Sequence, residues 1–531
     1  MAQYKGYDVI FAGAGHNALT CAAMLAKTGV KVILFERNAW IGGGVVTREM
    51  TAPGFKSDTH SWGHIFLHSN PIFKIVREEL EAKWGLKYIL SEDGMIGGAF
   101  EDGTGLVIYK SIDKTCEGIA RLSQKDAGRY REIYDYWKEI RDGFIRQWWN
   151  PPQQESLLMA ALEQTPEGKM MLRNQMLSCK DFLEENFESE YVKAFLLFAA
   201  MAPNIKPDQE NMANLYFLMV PHMHDYGEGI PQGGSGELSN SLGRMVEGYG
   251  GCIVRSAPVK KFIVKDSAAV GVLLEDGTEV YANKAVVTAI DPKHTYLEMF
   301  DPDLLPADVV TKAERFKPGK IPASNSFWAL HEHPILKAGR EVTETGYWRC
   351  IGTVEDIVDH SAEVERGILP TNPGLNLSCP TIKDPTRAPA GKHVLVIYTA
   401  ASYKLRGQDW DEVEQEWGDR LLNTFRKYTT NMGDENIIAR YIQTPKRMVK
   451  DNPCMLDGAI MGGEMAKFQA GTFRPFPGYS NYRGPFKNFY HVGPWNHPGG
   501  GVTGMGGITA IEMMKDFKIL KKSAWAEWEE D

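Results

Sequence analysis

The chain has 531 residues, a formal net charge of −9 and 43% hydrophobic residues. This length favours more than one domain, and this composition is that of a folded globular protein rather than a disordered one. The excess of negative charge argues against nucleic acid and against an anionic membrane as general partners.

Cysteine usage indicates a reducing compartment. The seven cysteines are scattered, and none forms a CxxC pair. This spacing predicts free thiols without a disulfide framework and gives no zinc signature. The first strand begins within a few residues and leaves no room for a signal peptide, and the apolar run 194–202 is far too short to cross a bilayer. We therefore predict a cytoplasmic protein without a metal. Peripheral contact with a membrane stays open but is not favoured.

A strand, a glycine turn and a helix form the first predicted elements. Residues 7–11 (YDVIF) are an apolar strand, and an amphipathic helix follows the turn and runs to about residue 28. Residues 31–35 (KVILF) form a second apolar strand. Because the three elements follow each other in register, they predict a dinucleotide-binding βαβ unit.

The residue types inside this unit match the binding of a pyrophosphate by backbone atoms. Gly13 allows the tight turn, Gly15 lets the phosphates approach the start of the helix, and Ala18 permits close packing of helix on strand. Glu36 ends the second strand, where its carboxylate can accept hydrogen bonds from both ribose hydroxyls.

A second glycine motif follows directly. Gly42 and Gly43 precede Thr47, and paired glycines let a chain pass close to a bulky phosphate without a Cβ clash. Taken alone, this segment would be a surface turn. Its position after the βαβ unit favours a cofactor site.

The periodicity of apolar residues changes twice in the middle of the chain. Helical patterns dominate from about residue 112 to 221, and an alternation of period two begins at Cys252, with a hairpin at Asp276-Gly277. A mixed region follows, in which we predict strands at 326–330 and 394–398 and a helix near 410–428.

The last predicted elements repeat the strand–loop–helix order of the first. A strand at 489–493 leads into a glycine-lined loop, and a helix begins at about Gly507. The start of such a helix attracts negative charge. The two ends of the chain thus look like one nucleotide-binding domain that the middle interrupts.

These motifs together resemble the phytoene desaturase superfamily of FAD-dependent, amine-oxidase-like flavoproteins, and among its branches the carotene ketolases and related desaturases. The resemblance rests on GAGHNALTCAAMLAKTG, ERNAWIGGGVVT, PGFKSD, PQGGSGEL, VVTAIDP, RPFP and HPGGGVTGMGG, which occur in family order across nearly the whole chain. One position departs from the pattern: Gly44 stands where the family often has an arginine that balances the pyrophosphate charge. Arg37 and Arg48 are candidates for that task.

The resemblance implies an α/β fold, with a Rossmann-like FAD-binding domain of the glutathione reductase type and an interleaved α+β substrate domain. The implied FAD-binding domain is discontinuous and comprises residues 1–110, 230–300 and 481–531. The implied substrate domain comprises residues 111–229 and 301–480.

The resemblance also implies which residues contact FAD. They form the pyrophosphate turn, the ribose-binding acid and its neighbour, the second glycine motif, the segment beside the flavin ring, the adenine-side strand and the C-terminal loop: Gly13, Gly15, Asn17, Ala18, Glu36, Arg37, Gly42, Gly43, Gly44, Thr47, Ser61, Trp62, Val259, Gly493, Gly500, Gly501, Val502 and Gly504.

The implied activity is oxidation of a CH–CH group, in which hydride leaves one carbon and a proton leaves its neighbour. The side chains proposed for the proton are His64, His224, Tyr226 and His497, although histidines in such positions are more often structural. The expected substrate is small and apolar or alicyclic, with a ring ketone as one option, and the expected electron acceptor is oxygen or a quinone, since no second nucleotide motif follows a strand.

Alternatives of the same fold stay open. One is a carotenoid desaturase or ketolase that acts at a membrane. The others are a flavin-dependent isomerase and a flavoprotein without catalytic turnover.

Overall fold

A computed structural model describes residues 4–91, 93–201, 205–523 and 525. Within these residues, the strands β1 to β19 are, in chain order, Val9–Ala12, Val32–Phe35, Thr47–Glu49, Lys56–Asp58, Tyr88–Leu90, Gly94–Ala99, Gly105–Tyr109, Gly229–Pro231, Cys252–Val254, Val259–Lys265, Ala268–Leu274, Glu279–Tyr281, Ala285–Thr288, Ala323–Leu330, Tyr347–Cys350, Leu375–Ser378, His393–Ala400, Ile437–Gln443 and Phe489–His491.

The helices of the described residues fill the segments between these strands. In chain order, α1 to α17 are His16–Lys27, Pro71–Lys83, Ile112–Ala120, Gln124–Trp149, Glu155–Leu162, Pro166–Met176, Cys179–Asn186, Glu190–Ala200, Asn214–Met219, Pro221–Tyr226, Gly236–Gly248, Ala307–Arg315, Arg340–Glu344, Val354–Glu365, Trp410–Arg426, Pro445–Asp451 and Gly506–Asp516.

A parallel sheet joins the two ends of the chain. Its strands lie in the order β19-β13-β1-β2-β9, and every neighbouring pair is parallel. Its strands are almost continuously apolar because helices cover one face and the three-stranded sheet β10-β11-β12 covers the other. Val9 and Phe11 point into the core shared with α1, α11 and α17, whereas Ile10 points into the core beneath β10, β11 and β12. The predicted Rossmann-like sheet and the joining of the chain ends are confirmed.

A second, mixed sheet is built from the middle of the chain. Its strands lie in the order β18-β14-β17-β16-β15-β6-β7, and neighbours are antiparallel except for β15 and β6. Because side chains alternate along a strand, each strand presents one set to either face. Trp328, Trp348 and Leu377 pack against Trp417 of α15 on one face. The other face carries an apolar patch that packs on Phe55 and, further along, polar side chains that border a cavity.

The helices α3 to α10 pack into a separate apolar core, with Trp137 and Trp149 fully buried. This arrangement agrees with the helical pattern predicted for residues 112–221. Serine side chains start several of these helices: Ser111, Ser123 and Ser178 each accept a hydrogen bond from a backbone N–H of the first turn.

The domain division stays a proposal, and strand pairing amends it at one point. The proposed FAD-binding part includes residues 94–109, but β6 and β7 lie in the second sheet, where β6 pairs with β15. The sequence pattern does not reveal this because a strand's partner lies hundreds of residues away. The proposed ranges, and the apolar run 194–202, also include some of residues 1–3, 92, 202–204, 524 and 526–531, which lie outside the described residues.

Within the described residues, no helix combines the length and the apolar content that crossing a membrane requires. All seven cysteines are free thiols.

Arg474 joins two segments in the C-terminal part of the chain by hydrogen bonds. Its buried guanidinium donates hydrogen bonds to the carbonyls of Met461 (3.0 Å), Gly462 (3.1 Å) and Pro494 (2.7 Å), and to those of Glu464 and Gln469. Burial lowers the pKa of Arg474 to about 10. The planar group with its fixed donors satisfies carbonyls that would otherwise be buried without partners.

We expect Arg474→Met to lower the free energy of unfolding by about 3 kcal/mol or more, because it leaves several buried carbonyls unpaired. Chemical denaturation measures this change. Arg340→Met is the matched control, since the Arg340 side chain is 87% exposed, and it should cost less than about 0.5 kcal/mol. Equal losses in the two variants would contradict the structural role of Arg474.

Candidate functional site

A cavity of about 890 Å3 lies along the carboxyl ends of the parallel strands and extends under the second sheet. Its volume is at the upper end of the range for cofactor and small-molecule sites, and this edge of a parallel sheet is where α/β proteins bind ligands. Both halves of the molecule line it: Glu36 and Val259 at one end, Trp62 and Arg349 at the other.

Two glycine turns meet backbone to backbone at the centre of the cavity. Gly13 has a φ of +96°, and a Cβ there would lie 3.3 Å from the Cβ of Ala289. Gly43 has a φ of +60°, and a Cβ there would lie 3.1 Å from the Cα of Gly15. The amide of Gly42 donates a hydrogen bond to the carbonyl of Ala14 at 2.8 Å, and this bond joins the two turns. The wall between them is therefore bare backbone at the start of α1, a cradle that suits a diphosphate.

Glu36 is held in the cavity wall by backbone amides. One carboxylate oxygen accepts a hydrogen bond from the amide of Ala14 at 2.9 Å, and the other accepts from the amide of Asn38 at 3.0 Å. Burial raises the pKa of Glu36, and these two amides oppose that rise. Each oxygen keeps a free lone pair, so the side chain can still accept hydrogen bonds from two ligand hydroxyls.

Most of the predicted FAD-contacting residues line this cavity. They are Gly13, Gly15, Asn17, Ala18, Glu36, Arg37, Gly43, Gly44, Ser61, Trp62, Val259, Gly493, Gly501 and Val502. Within the described residues, Gly42, Thr47, Gly500 and Gly504 are not in the lining. Their roles as direct contacts stay predictions, and their surroundings indicate packing instead.

The surroundings of these four residues explain their identity. A Cβ at Gly42 would meet the Ser239 hydroxyl at 2.6 Å, and one at Gly504 would meet the ring of Phe73 at 2.7 Å. At Gly500, a Cβ would lie 2.5 Å from the Cα of Met461. Thr47 donates to Asp58 at 2.5 Å and accepts from the amide of Gly236 at 2.8 Å.

Asp58, which the sequence analysis did not single out, forms the centre of this network. Its carboxylate also accepts from the amide of Ser235 at 2.8 Å and pairs with the buried Arg387 at 3.0 Å. The network therefore holds the second glycine motif against the start of α11.

The four side chains proposed for proton transfer do not line the cavity within the described residues. His64 is fully buried, and its ring nitrogens are hydrogen-bonded to the Tyr88 hydroxyl at 2.8 Å and the Ser235 hydroxyl at 2.7 Å. Burial lowers the pKa of His64 well below its usual value. These contacts favour a structural role for His64 over that of a base.

His224, Tyr226 and His497 lie in other surroundings. His224 is hydrogen-bonded to the Tyr130 hydroxyl at 2.7 Å inside the helical core, and burial lowers its pKa to about 4. The Tyr226 ring packs beside His222 at 4.7 Å. His497 is buried in the C-terminal loop, where burial lowers its pKa to about 4. Their proposed catalytic roles stay predictions without support from the geometry.

The second sheet contributes a set of cavity residues that sequence reasoning missed. Arg349, Asn376 and Tyr398 are direct partners across β15, β16 and β17, so their side chains lie in one row on the same face. All three are buried and line the cavity. We call them the polar row. A signal existed, since each residue interrupts an otherwise apolar strand, but only the strand register aligns them.

Glu228 lies at the same end of the cavity, just before β8. It is 2% exposed, and a Cβ at Gly63 would collide with one of its carboxylate oxygens. Its other oxygen has no hydrogen-bond partner among the described residues. Burial raises the pKa of Glu228 to about 6, although the charges of Lys383 and Arg349 act in the opposite direction.

Among the described residues, no three His, Cys, Asp or Glu side chains gather closely enough to hold a metal ion.

Comparison with known proteins identifies relatives over nearly the whole chain. The family described as flavin-containing amine oxidoreductase matches residues 19–436. One of the limonene dehydrogenase chains of Castellaniella defragrans is 30% identical over 96% of this chain and 95% of its own length. The neurosporene-forming phytoene desaturase of Cereibacter sphaeroides is 24% identical over 94% of this chain and 92% of its own.

The fold also matches solved structures. An oxidoreductase from Methanosarcina mazei superposes with a TM-score of 0.61 at 15% identity, covering 96% of this chain and all of the other.

We expect Gly43→Ala to weaken binding of the flavin at least about tenfold, because an added Cβ pushes the two glycine turns apart. Gly277→Ala is the matched control: Gly277 also has a positive φ, of +86°, but a Cβ there meets no atom within 4 Å. Visible absorbance relative to protein absorbance measures the bound flavin. Equal flavin loss in both variants would show that backbone strain alone causes the effect.

We expect Glu228→Gln to change the pH dependence of stability. The folded-state pKa of about 6 lies above the ordinary value of 4.5, so the wild-type protein loses stability as Glu228 ionises while pH rises through about 6. The variant cannot ionise. Its free energy of unfolding relative to wild type should therefore rise by about 2 kcal/mol from about pH 4 to about pH 8.

Chemical denaturation at the two pH values measures this difference. Glu132→Gln, whose side chain is 67% exposed, is the control and should change stability by less than about 0.5 kcal/mol at either pH. A difference for Glu228→Gln that is the same at both pH values would contradict the burial effect.

Proposed function

Because this chain belongs to the flavin-containing amine oxidoreductase family, we propose that it is an FAD-dependent dehydrogenase that introduces a C=C bond into a small alicyclic substrate, with ring ketones as the favoured class. The protein is an oxidoreductase, and FAD is its cofactor. When bound, FAD supplies the hydride acceptor and the chain supplies position, exclusion of water and proton transfer.

The residues of the cavity fit this cofactor. The bare backbone between Gly15 and Gly43 leaves a concave wall for the pyrophosphate, and Glu36 presents carboxylate oxygens for the ribose. We propose that Val259 contacts the adenine side and that Gly493 and Val502 contact the flavin ring. We propose that Trp62 and Ser61, which also line the cavity, would lie close to that ring.

The observation that carries the proposal is the continuity of the cavity. It runs without interruption from Glu36 and Val259 to the polar row and Glu228, so cofactor and substrate would share one continuous space. A cofactor and a substrate that fill this space would displace water from it, which strengthens electrostatic interactions and prevents side reactions.

The lining at the far end supports an apolar ring that carries one oxygen. Ile65, Phe66 and Met219 supply apolar surface. Glu228, Arg349 and Asn376 line the same end with charged and polar side chains. Such side chains against a pure hydrocarbon would cost free energy. A long polyene is therefore less suitable than a ring ketone.

A ring hydrocarbon is the second candidate. A relative that covers nearly the whole chain carries limonene in its name, and another is named for phytoene. Both names fit dehydrogenation of apolar molecules.

We further propose oxygen or a quinone as the electron acceptor. The glycine-rich segment 233–236 follows β8, but β8 pairs antiparallel with β5 in a two-stranded sheet and does not belong to a parallel nucleotide-binding sheet. NADH and NADPH are therefore not expected to reduce the flavin.

An anaerobic flavin-reduction screen tests the function. Cyclohexanone and substituted ring ketones should bleach the visible flavin absorbance, with limonene as the hydrocarbon arm and phytoene in vesicles as the polyene arm. Mass spectrometry of the product should show the loss of two hydrogens. A saturated ring hydrocarbon is the negative control.

Three results would contradict the proposal. Bleaching by phytoene alone would indicate a carotenoid enzyme, and a product of unchanged mass would indicate an isomerase. Rapid bleaching by NADH or NADPH would overturn the assignment of the acceptor.

A further inference from the structure

The polar row and Glu228 line the same end of the cavity. Arg349 and Glu228 carry opposite charges, and among the described residues no ion pair within 4 Å joins them. The charge of each acts on the pKa of the other. Because no salt bridge joins the two groups, both stay available to a ligand in the cavity.

Arg349 lines the cavity beside an aromatic pair. Its guanidinium lies 5.6 Å from the centre of the Trp62 ring, and one terminal nitrogen donates to the carbonyl of Trp348 at 3.3 Å. Trp62 in turn stacks on Tyr347, with ring centres 5.0 Å apart and planes 7° apart. A buried guanidinium with several N–H donors at a cavity wall suits an oxygen atom of a ligand.

Asn376 extends the donor surface. It lies directly beside Arg349 in the sheet, and it also lines the cavity. An amide can present either its oxygen or its NH2 group by rotation. Arg349 and Asn376 therefore form two adjacent donors for a single oxygen.

Glu228 has the surroundings of a proton acceptor. It lies within the electrostatic reach of Arg349, Lys383 and Tyr347. The Lys383 ammonium is bound to the Ser91 hydroxyl at 2.6 Å and the Gly94 carbonyl at 3.2 Å, so it does not neutralise Glu228 by direct contact. A carboxylate in this setting is basic enough to accept a proton near neutral pH.

We propose that Arg349, Asn376 and Glu228 form the substrate site, that Arg349 and Asn376 bind the carbonyl oxygen of a ketone, and that Glu228 removes a proton from the carbon beside it. The inference rests on the proposed function, since it names the substrate class and the base of the same site. Glu228 is then a catalytic residue, and it replaces the histidines proposed from the sequence.

The proton transfer requires only the ketone and the Glu228 carboxylate. The C–H bond beside the carbonyl breaks, and its proton forms an O–H bond with a Glu228 carboxylate oxygen. The electron pair of the C–H bond stays with the substrate and spreads onto the carbonyl oxygen as an enolate. The Arg349 cation stabilises that negative oxygen.

A ketone that can lose this proton but cannot be desaturated isolates the step. Acetophenone has acidic methyl hydrogens and no hydrogen-bearing carbon beyond that methyl group, so it cannot form the C=C bond. The holoenzyme is incubated with acetophenone in D2O, and proton NMR follows the exchange of the methyl hydrogens for deuterium. Perturbation of the visible flavin spectrum reports binding of acetophenone independently.

We expect wild-type protein to catalyse the exchange and Glu228→Gln to reduce its rate about 100-fold or more, with acetophenone still bound. Glu228→Asp should recover part of the rate. Arg349→Gln should weaken binding as well as exchange, and Arg349→Lys should recover part of the binding. Wild-type exchange should rise with pH through about 6. Glu132→Gln serves as the control for the carboxylate-to-amide change, and flavin content confirms that each variant is folded.

The outcomes separate this inference from the proposed function. If ring ketones bleach the flavin equally fast in wild type and Glu228→Gln, the function stands and the assignment of the base is overturned. If wild type binds acetophenone but exchanges no hydrogen, the assignment is also overturned. If exchange requires Glu228 but no ring ketone bleaches the flavin, the site stands and the proposed dehydrogenation fails.

Discussion

The contact of two backbones, at Gly15 and Gly43, is the constraint on which the site depends. Any side chain at Gly43 would push the two turns apart, so the wall between them consists of main-chain atoms at the start of α1. A surface of this kind binds by shape and by backbone dipoles rather than by side-chain charge. Of the two arginines proposed to balance the phosphate charge in place of Gly44, Arg37 lines the cavity, whereas Arg48 is not in the lining and pairs with Asp451 at 3.7 Å.

From this centre the cavity changes character in two directions. Towards Glu36 the lining offers hydrogen-bond acceptors for hydroxyl groups, and towards Arg349 it offers a buried cation, an amide and a carboxylate among aromatic and aliphatic side chains. The first end belongs to the parallel sheet and the second to the mixed sheet. The two sheets therefore contribute chemically different ends of the same cavity.

The sequence predicted the parts of the site that are local in the chain. Gly13, Gly15 and Glu36 fall within one βαβ unit, so their spacing alone reveals their arrangement. Arg349 and Asn376 could not be found this way, because a cross-strand register aligns them and no short-range pattern encodes it. The chemistry of histidine suggested His64 as a base, yet His64 is a buried, hydrogen-bonded side chain outside the cavity lining, and the carboxylate of Glu228 lines the cavity instead.

The sequence also does not distinguish the roles of individual glycines. Gly43 and Gly504 look equivalent in the sequence, but one faces the cavity and the other accommodates the ring of Phe73.

The parallel sheet that joins the chain ends has a further consequence for biosynthesis. β13 pairs with β1 on one side and with β19 on the other, and β19 is made about two hundred residues after β13. Until Phe489–His491 leaves the ribosome, that edge of the nascent sheet stays open to wrong partners. Because Gly493, Gly501 and Val502 follow β19 and line the cavity, the cofactor cavity is assembled only after this part of the chain has been synthesised.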